Sequence, residues 1–157
     1  MKPEVLKKPK VIVFDMDGTL IESYLDFKEL KKKMGFAEDS SVLEALDDVT
    51  DSEKKKKLWQ QLDDFEVEGA NRAVLYEGVI EFLDFCDEMG FKRALLTRNS
   101  KKVTQMILGK FNLSFGLVLH RDNLEKPKPD PMGLDVISEF FQTNKDDIIF
   151  IGDHLHD

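Results

Sequence analysis

Val11-Ile12-Val13-Phe14-Asp15-Met16-Asp17-Gly18-Thr19-Leu20 decides how the rest of the chain is read. Residues 11–14 are continuously apolar and mostly β-branched, the pattern of a strand covered on both faces in the middle of a parallel sheet. Two carboxylates, one residue apart, end that strand, and a glycine follows at once. Negative charges gathered where a sheet opens to solvent are costly unless a cation lies between them or one keeps its proton. An all-oxygen donor set of this kind suits a hard divalent cation, Mg2+ in particular.

Composition narrows the partners. The 157 residues are enough for one domain with a real core and a small appended module. The net charge of −8 disfavours nucleic acid and anionic membrane surfaces, so a phosphate site must build its own positive field. A single cysteine, Cys86, cannot form an intrachain disulfide, which fits a reducing, cytoplasmic setting. The lysine-rich start, 1–10, does not resemble a cleavable leader, and no apolar run reaches the ~20 residues of a membrane span.

Outward from the first strand, the texture changes. Between Ile21 and Tyr76 the pattern is helical: Asp26 opens a helix that Gly35 can stop, and Ser41-Val42-Leu43-Glu44 and Thr50-Asp51-Ser52-Glu53 have the form of capping boxes. Leu58, Leu62 and Phe65 form one stripe of the third helix, and Lys54–Lys57 reads as a solvated face. From Val79, strand and helix alternate. A helix carries Val79, Leu83 and Cys86 to a stop at Gly90. Strand 93–96 runs into Thr97, and Asn99 or Ser100 caps the helix after it. A strand over 115–120 precedes the rigid Lys126-Pro127-Lys128-Pro129-Asp130-Pro131, a further helix, and the strand 148–151, which Gly152-Asp153 closes.

This alternation predicts an α/β fold, a doubly wound parallel sheet whose ligands bind at the carboxyl ends of the strands. Asp15, Thr97 and Asp153 all fall at such ends. Residues 1–20 and 77–157 would form the core domain, and residues 21–76 a small α-helical cap inserted after the first strand.

Four ordered motifs now resemble those of the haloacid dehalogenase-like hydrolases: Asp15-x-Asp17-Gly18-Thr19, the strand-end Thr97, a lysine ahead of a proline, and Gly152-Asp153-x-x-x-Asp157. The resemblance implies that Asp15 is a nucleophile forming an aspartyl-phosphate and that Asp17 is the general acid and base. Thr97, with Arg98 and Asn99 at the mouth, would hold the phosphoryl group. Lys126 would neutralise charge, with Lys128 its rival; the family pattern puts the lysine directly before the first proline. Mg2+ would be held by Asp15, Asp153 and the Asp17 carbonyl, while Asp157 would steady Lys126 or a metal-bound water. His154 and His156 occupy variable positions of that motif. Family members continue with a further strand and helix, so the strand 148–151 is expected as a sheet edge, in a monomer or a weakly self-associating chain.

The resemblance implies a Mg2+-dependent phosphatase acting on a small phosphorylated metabolite. A phosphomutase would use the same carboxylate pair. A dehalogenase is disfavoured because Asp17 is present, and a truncated non-catalytic binding protein is the reading from another class.

Overall fold

The computed structural model describes residues 9–154. A four-stranded parallel sheet is built from β1 (Val11–Phe14), β4 (Lys92–Leu96), β5 (Leu117–Leu119) and β6 (Ile148–Ile151), in the spatial order β5-β4-β1-β6. Strand β1 is central, as its unbroken apolar run requires, and all four of its residues are buried. The expected strand over 115–120 shrinks to its middle three residues, while β4 starts one residue earlier than expected, at Lys92.

Side-chain alternation assigns the two faces. Val11, Val13, Ala94, Leu96 and Leu119 pack with Leu124 and with Ile137 of α6 (Met132–Phe140), and Ile148 and Phe150 join them. On the opposite face Phe14 meets Phe82 of α4 (Val79–Glu88) edge-on, ring centres 6.0 Å apart. Cys86, on the inner side of α4, is fully buried; desolvation raises its thiol pKa, which is the behaviour of a packing residue. In-register pairing places Ile149 beside Ile12. Among the described residues β6 pairs only with β1, so it is an edge strand, and Ile149 is 46% exposed.

The chain separates into two compact units, residues 23–73 and the remainder. The sheet belongs to the second of these, as does a two-stranded antiparallel ribbon, β2 (Ile21–Glu22) with β3 (Val74–Leu75). These two-residue strands lie just inside the expected helical segment, too short to leave a period in the sequence.

Unit 23–73 holds α1 (Phe27–Met34), α2 (Val42–Asp47) and α3 (Ser52–Arg72) around its own core of Leu30, Met34, Leu46, Leu58 and Leu62. Asp26 caps α1 by accepting from the Glu29 N–H, and Gly35 ends it at φ +75°. The third helix starts one residue later than its apparent capping box. Asp51, rather than Thr50, is the cap, and its carboxylate accepts from the Lys54 N–H. Ser41 stands at the cap of α2 without a side-chain cap bond. Among the described residues no helix is long and apolar enough to cross a membrane.

Ile137 is fully buried where α6 meets the sheet. Ile137→Ala should cost about 2–5 kcal/mol of stability through lost burial and an unfilled cavity. Urea unfolding should show a lower midpoint with an unchanged slope.

Candidate active site

The carboxyl rim of the sheet gathers the polar side chains. The β1–β6 ladder continues one residue past β1, the Asp15 N–H donating to the Ile151 carbonyl at 2.9 Å, so Asp15 leaves the sheet at its central position. A tight turn follows, in which the N–H groups of Thr19, Leu20 and Ile21 converge on the Met16 carbonyl. Gly18 sits in this turn at φ +75°, a conformation that favours glycine. A Cβ there would lie 2.0 Å from Asp153 Oδ2, so the Asp153 carboxylate rests directly on the turn that carries Asp15 and Asp17.

Lys128 Nζ lies 2.9 Å from Asp15 Oδ1, and its side chain is 6% exposed. It also lies over the Phe150 ring, 5.1 Å from the centre. The lysine expected beside the carboxylates was Lys126, which is exposed; the structure puts Lys128 there instead. The path of the loop explains the exchange. Leu124 is anchored in the core under β5, and the Asn123 side chain ties back to β5 through the Val118 carbonyl and the His120 N–H. At the far end the Asp130 carboxylate accepts from the Met132 N–H at the start of α6. Between these ties Lys128 turns inward, and a buried ammonium requires a partner such as Asp15.

After β4, Thr97 is buried, and its hydroxyl accepts from the Asn99 N–H at 3.2 Å. Arg98 is half-buried at the rim, and its carbonyl accepts from Arg121 Nη1. Ser100, not Asn99, caps α5 (Lys101–Phe111), accepting from the Val103 N–H. Asn99 is thereby released to turn toward the first strand. Its Nδ2 donates to Asp17 Oδ2 at 2.6 Å, so its amide reaches a carboxylate, where a phosphate contact was expected.

One rim residue escaped the sequence reading. His120 follows β5, is buried, and its Nδ1 has no hydrogen-bond partner among the described residues. Burial lowers its pKa, with Asp122 opposing and Lys101 reinforcing. A lone histidine at a strand end carries no distinguishing spacing, which is why the sequence did not mark it.

Asp153 and His154 are exposed beyond β6. His156 and Asp157, with the role expected for Asp157, lie outside the described residues. Among the described residues no three or more His, Cys, Asp or Glu converge on a point.

Residues 23–157 match the family model of haloacid dehalogenase-like hydrolases. A haloacid dehalogenase-like hydrolase domain-containing protein of Arabidopsis thaliana is 29% identical over 93% of this chain and 63% of its own length. A phosphoglycolate phosphatase of Nitrosococcus oceani is 24% identical over 98% of this chain and 79% of its own length. The chain thus spans less than two thirds of the plant relative. Among solved structures, a hydrolase from Pseudomonas syringae superposes with a TM-score of 0.77 at 19% identity, covering 94% of this chain and 77% of that one. A predicted phosphoglycolate phosphatase from Haemophilus somnus gives 0.70 at 23% identity, with coverages of 94% and 78%. These likenesses establish the fold, including the parallel sheet expected from the alternation.

Two outcomes follow from this geometry. Gly18→Ala combines an unfavourable φ with a clash against Asp153, and should lower the melting temperature by several degrees, about 1–3 kcal/mol. His120 is held neutral by burial, while in the unfolded chain it takes a proton near its ordinary pKa of about 6.5. Its contribution to stability is present above that value and is lost as pH falls through the lowered folded value. The melting temperature should therefore drop more between pH 7.5 and 5.5 in the wild type than in His120→Gln.

Proposed function

The chain belongs to the haloacid dehalogenase-like hydrolases, and from that premise we propose that it is a phosphatase using Asp15 as nucleophile on a small phosphorylated metabolite. The observation that carries the reading is the buried Lys128 ammonium 2.9 Å from Asp15 Oδ1, two residues from a second carboxylate at the open end of the sheet. A lysine so placed keeps Asp15 ionised and offsets the approach of a phosphate dianion, the principal electrostatic obstacle to phosphoryl transfer.

The chemistry assigned to these residues has two halves. An Asp15 oxygen forms a bond to phosphorus as the ester P–O bond breaks, and Asp17 gives its proton to the departing oxygen. Water then attacks the aspartyl-phosphate, Asp17 takes a proton from that water, and inorganic phosphate leaves with the Asp15 carboxylate regenerated. Thr97 and the start of α5 would hold the phosphoryl oxygens, and Arg98 stands at the mouth where it can meet an acidic substrate. That several relatives are named phosphoglycolate phosphatase favours a small anionic alkyl phosphate.

The residues fit Mg2+. The Asp153 carboxylate rests against Gly18, next to the Asp17 peptide, and the available donors are all oxygen. Asp15, Asp153 and the Asp17 carbonyl would hold the ion, which when bound supplies positive charge to the phosphoryl oxygens.

Steady-state hydrolysis of p-nitrophenyl phosphate tests the proposal. Asp15→Asn should abolish turnover, and Asp17→Asn, which removes the base for hydrolysis of the aspartyl-phosphate as well as the acid, should lower kcat by about 10²–10⁴-fold while inorganic phosphate still inhibits. Lys128→Met should cost about 10²–10³-fold and Lys126→Met far less, which separates the two lysines. Chelation of divalent ions should stop the reaction and Mg2+ should restore it. Unimpaired turnover by Asp15→Asn would refute the assignment.

A further inference from the structure

We infer that Asn99 is a positioning residue for Asp17, one that fixes the carboxyl group delivering a proton to the leaving oxygen rather than binding the phosphoryl group itself. The inference rests on the phosphatase reading and adds to it a determinant of which esters are cleaved.

Asn99 is 7% exposed and is restrained from three directions. Its N–H donates to Thr97 Oγ1 at 3.2 Å, its carbonyl accepts from the Arg121 N–H at 3.1 Å, and its Nδ2 donates to Asp17 Oδ2 at 2.6 Å. The same nitrogen lies 3.5 Å from Met16 Sδ, so the amide is wedged against the turn that carries both carboxylates. The amide nitrogen faces Asp17 Oδ2, and its N–H can donate to that oxygen whether or not the other carboxyl oxygen carries a proton. A donor bonded to a carboxylate inside a protein is stronger than a neutral pair and expensive to break. Turning the side chain toward a phosphoryl group would forfeit that bond.

The chemical consequence is selective. Holding one oxygen of Asp17 sets the plane of the carboxyl group, and with it the line along which a proton can travel. Proton delivery to a leaving group requires that line to be met within normal hydrogen-bond distance. Alkyl esters depend on it, because an alkoxide leaves poorly without a proton. Nitrophenyl esters depend on it little, because nitrophenolate is already a good leaving group. Loss of Asn99 should therefore act on one class of substrate far more than on the other, whereas a phosphate-binding side chain would serve both alike.

The decisive comparison measures kcat/KM for glycerol phosphate and for 2,4-dinitrophenyl phosphate in the wild type, Asn99→Ala and Asn99→Ser. The alkyl-to-aryl ratio of kcat/KM, which reports the step in which the leaving group departs, should fall about 10²-fold in both variants, the lower end of what a general acid contributes. Inorganic phosphate titrated calorimetrically should bind the variants and the wild type with affinities within about threefold, well under the 1.4 kcal/mol that a tenfold change represents. In an Asp17→Asn background, Asn99→Ala should cost nothing further in alkyl ester turnover, since coupled residues fail to add. Equal losses on both esters, or phosphate affinity falling in step with activity, overturn the inference and leave the phosphatase reading intact. Absence of turnover of either ester by the wild type overturns both. Asn99→Ser keeps a small polar side chain, and its melting curve against the wild type separates misfolding from mispositioning.

Discussion

Carboxylates collected at one end of a parallel sheet repel each other, and the organisation of this core answers that repulsion. Asp15, Asp17 and Asp153 share the rim. Within the described residues the compensation is a buried ammonium on Asp15 and an amide on Asp17. The two devices differ in kind. Lys128 supplies a full charge that favours the ionised carboxylate, as the nucleophilic role proposed for Asp15 requires. Asn99 supplies a dipole that can bond the carboxylate and remain compatible with a carboxylic acid after proton uptake, as the acid–base role proposed for Asp17 requires.

Both partners arrive from segments well separated in sequence, so the rim exists only when the sheet is assembled. Lys128 depends on a loop fastened at one end by Leu124 and Asn123 and at the other by Asp130. Asn99 depends on Ser100 taking the helix cap and on Arg121 pinning its carbonyl. The sheet beneath is packed by Val11, Val13, Leu96 and Ile137 on one face and by Phe14 against Phe82 on the other. Apolar packing thus holds a set of charges that would separate if the backbone around them were free to relax.

The elements legible in the sequence were those with a period or a punctuating residue. The run Val11–Phe14, the stripe Leu58–Leu62–Phe65 and the stops at Gly35 and Gly90 all follow from local rules, and the parallel sheet follows from their alternation. What was not legible depends on where a chain turns in space. Lys126 and Lys128 each precede a proline, and sequence offers no difference in burial between them; the anchoring of Leu124 decides it. The capping box put Thr50 at the cap of α3, but it is the Asp51 carboxylate that reaches the Lys54 N–H and takes the position. Asn99 was read as one of a pair at the mouth of the site, but its orientation follows from the cap taken by its neighbour. The β2–β3 ribbon is too short for any periodicity.

The two units divide these demands. Every rim residue named here comes from the unit that holds the sheet, while residues 23–73 close around Leu30, Met34, Leu46, Leu58 and Leu62 without drawing on the sheet's core. The helical insert lies in the chain between β2 and β3, and its apolar cluster is made of other residues than the cluster on the sheet. Residue changes in the insert and in the rim therefore answer to different constraints. Under the proposed phosphatase reading the rim answers to the electrostatics of phosphoryl transfer, while the insert answers to its own packing.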